Sequence, residues 1–140
     1  MRTRSLIPSL LALLGAASVA LTPSVADAGR CPNVQIILDR SGSTSTPGPG
    51  GSRASVADEA VKRLANKLGG QLPLGMSVFP GSGCDVHTTI PPSSSSAADI
   101  LRTLSSTTPG GSSPVGSAVR ASAMLSALRD PTRMQYQILI

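Results

Sequence analysis

The stretch from Asn33 to Ser43, NVQIILDRSGS, constrains this chain most: an apolar run ends in Asp39, and serines follow at spacing two, Ser41 and Ser43. A parallel strand covered on both faces reads as near-continuous Val, Ile and Leu, so Val34, Ile36, Ile37 and Leu38 predict a buried strand of an α/β sheet. Such a strand delivers Asp39 to the carboxyl edge of the sheet, where open α/β folds bind ligands. One carboxylate and two hydroxyls then stand together, with Gly42 letting the backbone turn tightly between the serines. These are hard oxygen donors of the kind that Mg²⁺, Mn²⁺ or Ca²⁺ prefers.

Elements consistent with that sheet follow in order. Thr44 to Ser52, rich in Pro, Gly, Ser and Thr, reads as a surface loop that only connects. Ser52 then predicts an N-cap for a helix over residues 53–68, with Val56, Ala60, Leu64 and Leu68 as its apolar stripe. Val61 and Ala65 flank that stripe, Lys62, Arg63 and Lys67 mark the wet side, and Gly69 and Gly70 stop the helix. A crossover of this kind is what a parallel neighbour needs. Residues 75–79 predict the second strand, and Cys84 to Ile90 a short strand folding back on it as a hairpin. Ser96 opens a helix over 97–105 that buries Ile100, Leu101 and Leu104. A longer helix over 114–129 buries Val115, Ala118, Val119, Ser122, Leu125 and Leu128, and Asp130-Pro131 ends it. Met134 to Ile140 predicts a strand beside the first.

Between those two helices lies TTPGGSSPVG, residues 107–116. An Asp-x-Ser-x-Ser closing a hydrophobic strand, with a Gly-Gly loop and a hydroxyl just before a later helix, resembles the von Willebrand factor A domain. The resemblance implies a three-layer α/β/α architecture, a Rossmann-like sheet mostly parallel with one antiparallel edge strand beside the second strand. It implies a metal ion-dependent adhesion site on Asp39, Ser41, Ser43 and Ser113, with Ser112 as the fallback for the last position. The family usually carries Thr there; a Ser keeps the oxygen and loses the methyl that restrains the rotamer. Ser113 also reads as an N-cap with Pro114 at the first helical position, and both roles can coexist. A further Asp, typically followed by Gly, belongs to the family pattern after the last strand; the resemblance covers residues 33–140 and lacks that C-terminal part.

The function implied is divalent-cation-dependent binding of a protein ligand. With Asp39 as the single carboxylate and three neutral hydroxyls, a divalent ion keeps positive character and seeks an acidic partner side chain. Two rivals stand beside it. One is a structural module of a larger secreted assembly whose metal site is vestigial. The other is an Asp-dependent, haloacid-dehalogenase-like phosphatase, which wants a second Asp where Ser41 stands. A serine hydrolase needs a G-x-S-x-G elbow, and Arg40-Ser41-Gly42 lacks the first glycine. No catalytic residue is therefore expected.

Residues 1–28 read as a secretory signal: Arg2 and Arg4 start it, Leu6 to Leu21 form the apolar middle, and Ala26-Asp27-Ala28 offers the cleavage site. The apolar middle is interrupted by Pro8 and Gly15 and falls short of the roughly 20 residues a spanning helix needs. The 140 residues less this 28-residue leader leave 112, one small domain over 29–140, and the formal charge goes from +5 to +4. The expected location is secreted, periplasmic or cell-surface. Arg30 stands where lipid attachment at Cys31 would want a small residue. Basic residues are dispersed, and Phe79 and Tyr136 are the only aromatics, which argues against nucleic-acid binding. In an exported chain Cys31 and Cys84 point to a disulfide, although they would fall at opposite ends of neighbouring strands. A zinc site is disfavoured without a C-x-x-C and with one histidine, His87, which reads with Asp85 as a solvated edge residue.

Overall fold

A computed structural model describes residues 30–80, 86 and 88–140. The leader, Cys84, Asp85 and His87 lie outside the described residues, so the signal-peptide and disulfide expectations do too; Cys31 is exposed. The fold is α/β, with a mixed four-stranded sheet and three α-helices.

Its centre is β1 (Asn33–Asp39), buried along its length except at Asp39. On one side lies β4 (Leu74–Phe79), in parallel register from Val34 against Leu74 to Asp39 against Phe79. On the other lies β6 (Gln135–Leu139), also parallel. The outer strand β5 (Thr88–Ser93) pairs antiparallel with β4, giving the order β5-β4-β1-β6. Two further strands, β2 (Pro47–Gly48) and β3 (Gly51–Ser52), form a separate small ribbon between β1 and α1. The helices are α1 (Arg53–Leu68), α2 (Ala97–Ser106) and α3 (Val115–Ala123).

Strand alternation divides the core. Val34, Ile36 and Leu38 of β1 join Leu74, Met76 and Val78 of β4, and on them pack Val61 and Ala65 of α1 and Ile100 and Leu104 of α2. The opposite parity, Ile37 and Phe79, packs on Ala118 of α3 with Val115 and Val119 beside it. Each fully buried aliphatic of this kind is worth about 1.5–3 kcal/mol against exposure. The α3 side also holds a buried polar string: Ser122 donates to Ser77 Oγ at 3.0 Å, and the Gln35 carboxamide stands 2.9 Å from that oxygen. Tyr136, Ile138 and Leu139 of β6 remain between 39% and 52% exposed.

Several expectations are corrected. Helix α1 has the predicted bounds and cap, Ser55 N–H donating to Ser52 Oγ at 3.1 Å, but it buries Ala54, Val61 and Ala65, while Val56 is 49% exposed. Two apolar stripes lie side by side on this helix; Val61 and Ala65 sit in the cluster with Ile100 and Leu104 of α2, and Ala57 and Leu64 pack partly buried against it. Of the strand expected over Cys84 to Ile90, Cys84, Asp85 and His87 lie outside the described residues; β5 extends beyond the expected end through Pro91 and Pro92, which a sheet edge tolerates because no ladder donor is needed there. The helix expected over 114–129 breaks after Ala123: Leu125 is extended, and a 3₁₀ turn over Ser126–Arg129 follows. The Asn33 amide donates to Ala127 O at 2.6 Å, which takes that carbonyl and sets Leu128 inward. Ser96 is no side-chain cap, since its hydroxyl donates to Ser93 O at 2.9 Å and to Leu74 O. The loop after Ser43 is organised as a 3₁₀ turn (Gly42–Ser45) and the β2–β3 ribbon. Among the described residues no helix is long and apolar enough to cross a membrane.

Candidate metal centre

Sheet geometry sets Asp39. Its backbone N–H donates to Ile140 O at 2.8 Å and the next N–H, on Arg40, to Phe79 O at 2.6 Å. The chain is thus tied to both parallel neighbours at the moment it leaves the sheet, with the Asp39 side chain half-buried at the rim. The Ser41 N–H turns back to donate to Asp39 Oδ1 at 2.7 Å. That local bond fixes the carboxylate, and the 3₁₀ turn which follows brings the Ser41 and Ser43 hydroxyls to 3.2 Å.

The second loop arrives from far along the chain. Gly42 N–H donates to Gly111 O at 3.0 Å and Gly110 N–H to Arg40 O at 2.7 Å, so the two loops are stitched together by backbone. Gly111 has φ +74°, a left-handed conformation that favours glycine, and a Cβ there would lie 3.2 Å from Pro80 Cγ. Gly42 itself needs no such freedom: its φ is not positive and a Cβ would meet Gly111 O at an ordinary 3.5 Å, which corrects the role expected for it. Docked in this way, the Ser113 hydroxyl donates to Asp39 Oδ2 at 3.0 Å across 74 positions of sequence. Ser113 does not cap α3, whose N-cap is Pro114.

All four residues singled out from the sequence therefore meet: Asp39 with Ser41 and Ser113, and Ser41 with Ser43. Among the described residues no three His, Cys, Asp or Glu come together, so the set is one carboxylate and three hydroxyls. Adjacent oxygens around an octahedral Mg²⁺ at about 2.1 Å stand about 3 Å apart. The Ser113–Asp39 and Ser41–Ser43 separations, 3.0 and 3.2 Å, match that spacing. Ser43 and Ser113 are exposed while Ser41 is buried, so the cluster is open on its outer side. The donor set fits a hard divalent cation.

One residue of this site was not singled out from the sequence. Arg40, between two of the candidate ligands, is 3% exposed and forms an ion pair with Asp58 of α1, while also donating to Leu104 O at 3.4 Å. Its Nε has no partner. A guanidinium anchored in this way ties the Asp39 loop to α1 and to the last turns of α2. The signal was parity: Arg40 follows Leu38 at spacing two and so falls on the strand face that α1 and α2 cover.

No family model matches this chain, and no curated protein matches it.

Proposed function

We propose that the chain is a von Willebrand factor A-like domain, three-layered α/β/α, that binds a protein ligand through a divalent cation, in an exported protein. The observation that carries this reading is the convergence of Asp39, Ser41, Ser43 and Ser113 at the carboxyl edge of the central strand. Asp39, Ser41, Ser43 and Ser113 would hold Mg²⁺, Mn²⁺ or Ca²⁺; with one carboxylate among them the ion would keep net positive charge and would attract a Glu or Asp from a partner protein. The chain's own residues do the positioning: Ser41 N–H orients Asp39, and the Gly110-Gly111 loop brings in Ser113.

A second reading is favoured by a specific feature. The four side chains and the Ser41 amide hydrogen-bond one another, an arrangement that a structural module of a larger secreted assembly with a vestigial site would also use.

Thermal unfolding with and without cation separates the two. A ligand bound only to the folded state stabilises it by about 2.7 kcal/mol at a hundredfold excess over Kd. Mg²⁺ or Mn²⁺ is expected to raise the Tm of the native protein, and EDTA to reverse this. In Asp39→Ala the shift is expected to vanish; an unchanged shift would reject the site. Partner proteins that stay bound through an EDTA wash would favour the structural module.

A further inference from the structure

Helix α3 is hydrogen-bonded to one face of the sheet at both of its ends. At its start, Ser113 O accepts from the Val115 N–H at 3.0 Å, which ties Ser113 to the first turn, and the Ser113 hydroxyl donates to Asp39 Oδ2 at 3.0 Å. In its last turn, Ser122 donates to Ser77 Oγ at 3.0 Å, and the Gln35 carboxamide stands 2.9 Å from that oxygen. Between the two lies an apolar contact, Ala118 against Ile37 and Phe79. Gln35, Ile37 and Asp39 alternate onto the same face of β1, as Gly75, Ser77 and Phe79 do on β4. That face therefore runs from the polar string through an apolar patch to the candidate ligand. Gln35, Ser77 and Ser122 are at most 1% exposed. A Cβ at Gly75 would overlap the Gln35 carboxamide, so the glycine leaves the space in which the amide lies.

We propose that Ser122, Ser77 and Gln35 are positioning residues of the cation site: they hold α3 in the one register that places the Ser113 hydroxyl beside Asp39. The inference rests on the ion-dependent reading above for what the Ser113 oxygen does there. Buried polar groups are costly in an apolar layer unless each finds a partner, and that condition is met when Ser122 faces Ser77. Ala118 cannot make the same choice, because apolar contact is non-directional. The two residues lie one turn apart on the helix face that is turned to the sheet. A helix displaced by that turn would set the Ala118 methyl against Ser77 and carry Ser113 about 5.4 Å along its axis, beyond hydrogen-bond reach of Asp39. About 10 Å of helix separates Val115 from Ser122, so the string acts on the ion through Ser113 and not by contact.

The test is a double-variant cycle read as Mg²⁺ affinity by titration calorimetry, at a temperature where every variant is folded. Ser122→Ala, which removes the bond from α3 to the string, is expected to raise the Mg²⁺ Kd at least about fivefold, and Ser77→Ala, which removes the middle of the string, to do the same. In a Ser113→Ala background, where the oxygen being positioned is already gone, Ser122→Ala is expected to change Kd by less than about twofold. Ile100→Val takes a methyl from the opposite core face and is expected to lower Tm while leaving Kd in place, which separates positioning from loss of stability. An unchanged Kd in either serine variant, a loss that persists in full in the Ser113→Ala background, or an equal loss in Ile100→Val would each overturn the positioning role while native Mg²⁺ binding stands. Failure of the ion reading looks different: the native protein itself then shows neither Mg²⁺ binding nor a Mg²⁺-dependent Tm rise, and the positioning role falls with it.

Discussion

Replacing Asp58 by asparagine isolates the guanidinium that supports the ion loop. Arg40 is 3% exposed and the Asp58 side chain 22%, so the pair is buried on one side and screened on the other. Removing one partner of a fully buried pair costs about 3–5 kcal/mol, because the charge left behind is uncompensated. Here the asparagine oxygen still accepts a hydrogen bond and water reaches that side, which lowers the expected cost to about 2–3 kcal/mol. With Arg40 Nε already unpartnered, the Leu104 carbonyl is left as a neutral acceptor for the guanidinium. At about 4–8 °C per kcal/mol for a domain near this size, Tm should fall by about 10–20 °C. Circular dichroism melts measure this, and urea unfolding should show a lower midpoint with an unchanged slope. The double variant Arg40→Met/Asp58→Leu should regain most of the loss, since an apolar pair of similar volume replaces a buried ion pair at little cost. A cost below about 0.5 kcal/mol in Asp58→Asn, the level of a surface pair, would refute the clamp, as would a double variant no better than the single.

Two further outcomes are expected. Ser113→Ala removes an exposed hydroxyl and should cost under about 1 kcal/mol of stability, yet it should weaken the Mg²⁺-dependent Tm rise, whereas Ser113→Thr, which keeps the oxygen, should preserve it; titrating Tm against Mg²⁺ in both variants decides. The Asp130 carboxyl is held below the usual carboxylate range, first by the Thr132 hydroxyl at 2.7 Å and then by the Thr132 backbone N–H at 2.8 Å, with smaller help from Arg133 and Arg30. Its contribution to stability is present above the unfolded-state carboxylate range and is lost as pH falls through the lower folded value; a carboxyl-carbon NMR titration that finds Asp130 at or above the ordinary Asp value would contradict the turn.

How much was legible follows the range of the forces involved. The central strand was readable because Val34 to Leu38 leaves no polar face, and the α1 cap because Ser52 acts on Ser55, three residues away. The inward face of α1 was not. Val56 with Ala60 and Val61 with Ala65 are both legitimate apolar stripes, and the second packs among residues distant in sequence, the β1 and β4 side chains and Ile100 and Leu104 of α2. The 3₁₀ turn after α3 is tied to Asn33, 94 positions from Ala127, a contact that no local pattern between Ala123 and Arg129 announces. The antiparallel edge strand β5 was readable from its β-branched run up to Ile90; its continuation to Ser93 hid behind Pro91 and Pro92, residues that a strand accepts at an edge or a bulge.

The site divides in the same way, and the division bears on why these residues coexist. Asp39, Ser41 and Ser43 are set by bonds that span two residues, so their pattern survives in any local reading. Ser113 reaches Asp39 only because the Gly111 loop docks on Gly42 and Arg40 by backbone bonds, which carry no side-chain signature. Arg40 is the residue on which both halves depend: its carbonyl accepts from Gly110, its N–H donates to Phe79, and its side chain reaches Asp58. Arg40 continues the parity of Ile36 and Leu38, so its side chain enters the layer between the sheet, α1 and α2, a core that excludes charge. Pairing that side chain with Asp58 turns this cost into an anchor for the loop that carries Asp39, Ser41 and Ser43.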